Sequence, residues 1–235
     1  MQIYELTLTH MAGKLIVIEG GDGAGKATQA KLLIEHLQAD GHEIKTLDFP
    51  RYTDNKFGRL IRECLDGKRG DFMAMDPRVV ATLYAADRFE TKATLEGWLA
   101  EGHTVVLDRY VSANMMHQGA KLQDDAELAE LINWIDHTEF EVFGVPRPDL
   151  TFYFDIPYET RQKLKQQAVE EGKHTGELDV AEQDQEHQRK VGERARKIVD
   201  LRPDWRQITC CTDDDQLRTR EDIHEEVYKI VANIL

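Results

Sequence analysis

At 235 residues, with 30 Lys and Arg against 44 Asp and Glu and a net charge of -14, the chain is long enough for one α/β domain with a substantial buried core. The negative balance repels phosphate backbones over most of the surface, which argues against a nucleic-acid partner and requires a local basic pocket for any polyanionic ligand. No apolar run approaches a membrane span, and the three cysteines (Cys64, Cys210, Cys211) show neither CxxC nor metal-ligand spacing, so the expected setting is a reducing cytoplasm without a membrane partner.

Residues 1–12 carry no recognisable motif and are set apart as an N-terminal extension, leaving 13–235 as one domain. Within it, short β-branched or apolar runs at 15–18, 44–49, 104–107, 150–154 and 207–211 alternate with longer stretches of helical period. That alternation predicts an α/β fold with a parallel sheet wrapped by helices. The first crossover helix starts at a glycine-rich turn, buries Ala30, Leu33 and Leu37, and stops near Asp40-Gly41, where glycine suits the C-terminal cap. Residues 159–200 are highly charged, with few large apolar side chains between Val169 and Ile198, and read as exposed helix and loop.

The glycine-rich turn is Gly20, Gly21, Asp22, Gly23, Ala24, Gly25, Lys26, Ala27 and Thr28, the G-x-x-x-x-G-K core of a P-loop set between a strand and a helix. Glycines let the backbone curl around a phosphate with its N–H groups inward, at the positive end of a helix dipole. Lys26 adds a mobile point charge for the outer phosphates of ATP. The hydroxyl residue that usually follows this lysine and reaches Mg²⁺ is absent: Ala27 stands there. Thr28 is rotated about 100° around the helix and is no direct substitute.

Four further segments, in order along the chain, resemble thymidylate kinases: Glu19 through Lys26, Phe49-Pro50-Arg51-Tyr52, Asp87-Arg88 and Asp108-Arg109-Tyr110. The resemblance runs from Lys14 to the C-terminal helix. It implies a P-loop NTPase with a five-stranded parallel sheet flanked by helices and a mobile lid at about 159–190. It also implies transfer of the γ-phosphoryl of ATP to dTMP with Mg²⁺ as cofactor, and a homodimer.

Arg51 and Arg109 each follow a strand at its carboxyl end, where open α/β sheets bind ligands, and would converge on the acceptor phosphate. Tyr52 adjoins them. For the base, thymine shows an O4 acceptor beside an N3–H donor: Asn114 offers the complement, while Arg88, which only donates, favours O4 over a cytosine amino group. Tyr84, one helical turn before Arg88, occupies the place of the family's stacking aromatic, with Gln118 assisting. His117 stands where the family usually has Tyr or Phe against a ribose 2′-OH, so ribose and deoxyribose are expected to be less sharply distinguished. The structural alternatives are surface ion pairs for the arginines, a core aromatic for Tyr84, and a capping histidine for His117.

Gly23 replaces the arginine that some family members carry inside the P-loop, so the cation for the transferring phosphoryl is expected from the lid: Arg161, Lys165 or Lys173, the last between Gly172 and Gly176. Lys26, Asp22 and Arg109 complete the catalytic set. Without a hydroxyl at Ala27, Mg²⁺ is expected on Asp22, Asp108 and Glu182. Asp108 ends an apolar strand, as the metal-holding aspartate of P-loop kinases does, or merely caps the next turn. Two other readings share the donor loop: a kinase for another monophosphate such as UMP or dCMP, and a nucleotide-binding protein without turnover.

Overall fold

The computed structural model describes residues 13–172, 179–212, 214 and 216–235, so residues 1–12 and Lys173 lie outside the described residues. The order is β1 (Lys14–Gly20), α1 (Lys26–Ala39), β2 (Ile44–Asp48), α2 (Lys56–Leu65), α3 (Pro77–Ala100), β3 (Thr104–Asp108), α4 (Val111–Gly119), α5 (Asp125–Asp136), a π-helical turn (His137–Val142), β4 (Leu150–Asp155), α6 (Tyr158–Glu170), α7 (Val180–Gln183), α8 (Gln185–Leu201), β5 (Trp205–Thr209) and α9 (Arg220–Ala232). The strands form one parallel sheet in the order β2-β3-β1-β4-β5.

Side chains alternate across a strand, and here the alternation sorts the core into two layers. Leu15, Val17, Val105, Leu107, Tyr153 and Trp205 face α3, α4, α5 and α8; Ile16, Ile18, Val106, Phe152, Phe154 and Ile208 face α1 and α9. Both sheet faces are therefore covered, as an all-parallel sheet requires. Phe152, fully buried between β1 and β5, anchors the second layer. Phe152→Ala is expected to lower unfolding stability by about 3–5 kcal/mol, read from the denaturant midpoint, because the sheet cannot collapse into the space.

The first helix ends as the sequence predicts: Asp40 caps α1, and Gly41 takes φ 94, a left-handed value that favours glycine. Leu33 and Leu37 are buried and Ala30 is half-buried against the same layer. Two expectations shift. The last strand lies two residues earlier than 207–211, because Trp205 pairs with Thr151 and is buried, while Arg206 and Gln207 broke the apolar pattern in sequence. The charged stretch is also less exposed than its composition suggests: α8 buries Val191, Ala195 and Ile198, with His187 and Gln188 on the same face, against α4, β4 and β5. Its core face uses small and polar residues, which composition alone hides.

Candidate active site

The P-loop bridges the buried end of β1 and the start of α1. Gly25 occupies the N-cap of α1 with no side-chain cap, so the first N–H groups of the helix remain open to an anion. Lys26 is buried and folds back over the loop, its Nζ donating to Gly21 O at 3.2 Å and lying 3.9 Å from Asp22 Oδ1. Burial and the nearby Arg109 pull the Lys26 pKa down, opposed by Asp22, Asp108 and Glu19. Ala27 is exposed, whereas Thr28 lines a cleft with Gly23, Gly25, Leu164, Lys165 and Arg220.

Arg109 has φ 66, the only non-glycine residue with a positive φ among the described residues. Such backbone costs on the order of 1 kcal/mol and persists where the surroundings enforce it. Here Arg109 N–H donates to Ile18 O at 3.1 Å, and the next residue, Tyr110, donates its N–H to Glu19 Oε1 at 3.0 Å. Glu19, fully buried, also accepts from Ser112 Oγ at 2.7 Å; burial pushes its pKa up. The bend aims the Arg109 guanidinium at Asp22 Oδ1, 2.5 Å from Nη2, while Nη1 meets His117 Nε2 at 3.3 Å. An arginine only donates, so His117 Nε2 accepts and the ring proton sits on Nδ1. Burial and Arg109 hold the His117 pKa well below its ordinary value, which keeps the ring neutral. Burial works against the Asp22 charge, but Arg109 and Lys26 outweigh it and hold that carboxyl well below the usual range.

A second cavity opens beside the P-loop cleft. Tyr52, Tyr84, Arg88, Arg109, Asn114, His117 and Gln118 all line it. Asp22 and Glu182 line both cavities and so mark where they meet. In the wall of this second cavity Arg88 and Asn114 are buried, and Asn114 Oδ1 has no hydrogen-bond partner. Arg51 is not brought into this wall. Its guanidinium pairs with Asp54 at 2.5 Å, and its backbone N–H donates to Asp87 Oδ2 at 3.0 Å. Arg62, unmarked in the sequence, lines the cavity with its guanidinium carbon 5.5 Å from the centre of the Tyr52 ring.

The lid side contributes two cations above the P-loop. Arg161 is buried, its Nη1 3.5 Å from Asp22 O and its Nη2 donating to Gln188 O at 3.3 Å; burial pulls its pKa down. Lys165 donates to Glu182 Oε1 at 3.0 Å and packs over Gly23. Glu182 is further engaged in the capping box of α7, accepting from Asp179 N–H at 3.2 Å. Asp22, Asp108 and Glu182 are thus not preassembled: among the described residues no group of three or more His, Cys, Asp or Glu side chains is placed to hold a metal. Of these three, Asp108 keeps a buried oxygen, Oδ1, without a partner, as Glu19 Oε2 also does nearby in the sheet.

The chain that builds these cavities is similar in sequence and in fold to known proteins. The sequence model of the thymidylate kinase family matches residues 18–223. A thymidylate kinase of Mycobacterium tuberculosis is 38% identical over 135 residues, a match spanning 57% of this chain and 62% of that relative. A probable thymidylate kinase of Pyrococcus horikoshii is 33% identical over 233 residues, 96% of this chain and 98% of that one. The solved structure of thymidylate kinase from Candida albicans superposes with a TM-score of 0.71 at 25% identity, covering 94% of this chain and 92% of that one. With a family match over most of its length and a relative one-third identical over nearly all of it, the chain belongs to the thymidylate kinase family.

Proposed function

We propose that the protein transfers the γ-phosphoryl of ATP to dTMP, giving dTDP and ADP. The observation that carries this reading is the presence, in one cavity that shares Asp22 and Glu182 with the P-loop cleft, of an acceptor-only contact at Asn114 Oδ1 together with the guanidinium-bearing residues Arg88 and Arg109. In this reading the P-loop N–H groups and Lys26 hold the β- and γ-phosphates, and Arg109 orients the dTMP phosphate. A dTMP phosphate oxygen attacks the γ-phosphorus while the bond to the β-phosphate oxygen breaks. The attacking oxygen is already anionic, so no general base is required, and catalysis reduces to positioning and charge compensation. Arg161 and Lys165, above Asp22 and Gly23, supply the positive charge that Gly23 lacks. Tyr84 supports the base, and His117 faces the sugar with only its Nδ1–H free to donate. ATP-dependent formation of dTDP, measured against dCMP, UMP and GMP, tests the assignment; binding of ATP without turnover favours the regulatory alternative.

Mg²⁺ fits the donor site, because Asp108 presents a buried carboxylate oxygen with no partner at the carboxyl end of β3. Mg²⁺ accepts one carboxylate and retained waters readily, so a missing P-loop hydroxyl is tolerable. Asp108 would hold the ion, with Asp22 and Glu182 supporting it through water. When bound with ATP, Mg²⁺ would supply positive charge to offset that of the phosphates. Asp108→Asn is expected to raise the Mg²⁺ concentration for half-maximal rate about tenfold, and Ala27→Ser to leave it unchanged, in titrations of kcat.

The reading extends to a homodimer in the cytoplasm. Phe57 and Phe89 are exposed on adjoining stretches of α2 and α3, where Phe57 N–H reaches Glu90, and the Phe89 ring sits 5.4 Å from that of Phe143. Light scattering at micromolar protein tests the dimer.

A further inference from the structure

Arg88 and Asn114 share a partner that no motif marks. Glu139 lies in the π-helical turn after α5, 1% exposed, behind the cavity wall and not on it. Its Oε2 accepts from Arg88 Nε at 2.7 Å; its Oε1 accepts from Arg88 Nη2 and, at 3.1 Å, from Asn114 Nδ2. Asn114 Nδ2 gives its other proton to Ala81 O at 3.0 Å. Both amide protons are therefore spent, and Oδ1 is left buried and without a partner at the cavity.

An asparagine amide can turn either its oxygen or its NH₂ toward a ligand, and nothing in the residue itself decides which. A carboxylate and a backbone carbonyl only accept, so Glu139 and Ala81 O together draw the NH₂ to the rear and turn the oxygen forward. The same carboxylate fixes the Arg88 fork through two of its nitrogens. Arg88 Nη1 donates once to Tyr110 O at 3.2 Å and keeps its second N–H. The cavity wall then offers an acceptor at Asn114 Oδ1 and, from Arg88, donors only. Thymine and uracil complete that pair with N3–H and O4, whereas cytosine offers a bare N3 and an amino group and meets both contacts wrongly.

We propose that Glu139 is a positioning residue for base selection, which holds Asn114 and Arg88 in the one arrangement that accepts a 4-oxo pyrimidine and rejects a 4-amino one. This rests on the reading of the cavity as the dTMP site.

The test is Glu139→Gln, with kcat and KM measured for dTMP, dUMP and dCMP. Glutamine keeps the shape, but it puts an NH₂ where a carboxylate oxygen served Arg88 and Asn114, which removes one of the two acceptors that hold the Asn114 amide and leaves Ala81 O alone to do so. The dTMP:dCMP ratio of kcat/KM is expected to fall by about tenfold or more, through the KM for dTMP, while the dUMP:dTMP ratio and the KM for ATP stay put. General loosening of the fold has no reason to move the first ratio and spare the second. Should Glu139→Gln not fold, Glu139→Asp keeps the charge opposite Arg88 but draws the carboxylate back from Asn114, and the same fall is expected. A folded variant at either position 139 substitution that retains the wild-type dTMP:dCMP ratio overturns the proposal. A wild-type enzyme with no preference for dTMP over dCMP sinks the underlying function instead.

Discussion

Arg109→Ala is expected to lower kcat/KM for dTMP by about a thousandfold or more, the loss seen when a phosphoryl-stabilising guanidinium is removed. The residue lines the second cavity beside Asp22, which borders both, with Nη2 on Asp22 and Nη1 on His117, and its backbone is held at φ 66 to put it there. Two effects add. The acceptor phosphate loses its planar, two-pronged donor, and the Asp22 carboxylate, which Arg109 and Lys26 keep ionised against burial, is left facing the incoming anion with one cation fewer. Arg109→Lys restores the charge but not the fork, since one ammonium cannot span Asp22, His117 and a phosphate together; it should recover only part of the rate. Steady-state kinetics with dTMP at saturating ATP give the comparison. An alanine variant within tenfold of wild type would falsify the placement of Arg109 at the reacting phosphates.

Legibility in the sequence followed the range of the interactions involved. The P-loop is local: Gly20 through Lys26 are neighbours, and their spacing alone predicts the strand, the turn and the helix that the structure shows. Four strands were readable because alternation buries every residue of 15–18 and 105–107 on one layer or the other. The fifth slipped by two residues where polar Arg206 and Gln207 interrupt the apolar signal. The residues that family resemblance assigns to base and sugar share one cavity. Arg51 does not, because Asp54, three residues on, takes its guanidinium, and nothing in the sequence ranks that pairing above a phosphate. Glu19 and Glu139 lay beyond reach for the opposite reason. Glu19 meets Tyr110 from 91 residues away, and Glu139 meets Arg88 and Asn114 from 51 and 25. An acidic residue in an acidic chain gives no sign of such partners until the fold brings them in.

Gly21→Ala is expected to cut kcat about a hundredfold and raise the KM for ATP. A Cβ at this position would fall 1.8 Å from Arg161 Nη1 and 2.3 Å from the guanidinium carbon. That group is the end of a long side chain, and on an open surface it would swing aside at little cost. Here it is 4% exposed, held between Asp22 O and Gln188 O and beside the Tyr158 ring. The P-loop must therefore move as well. Gly21 O is the acceptor for Lys26 Nζ, so the shift passes directly to the lysine proposed to hold the outer phosphates, and a displacement near 1 Å in such a site costs roughly a hundredfold. The double variant Gly21→Ala with Arg161→Ala separates space from charge. If Arg161 serves only to fill the space, the double variant recovers most of the wild-type rate. If its charge stabilises the transferring phosphoryl, Arg161→Ala alone is already slow, and adding Gly21→Ala slows it little further, because the alanine now has room. The second, non-additive pattern is the one expected from a buried guanidinium poised over Asp22 and the P-loop, and strictly additive losses would remove Arg161 from contact with the reacting centre.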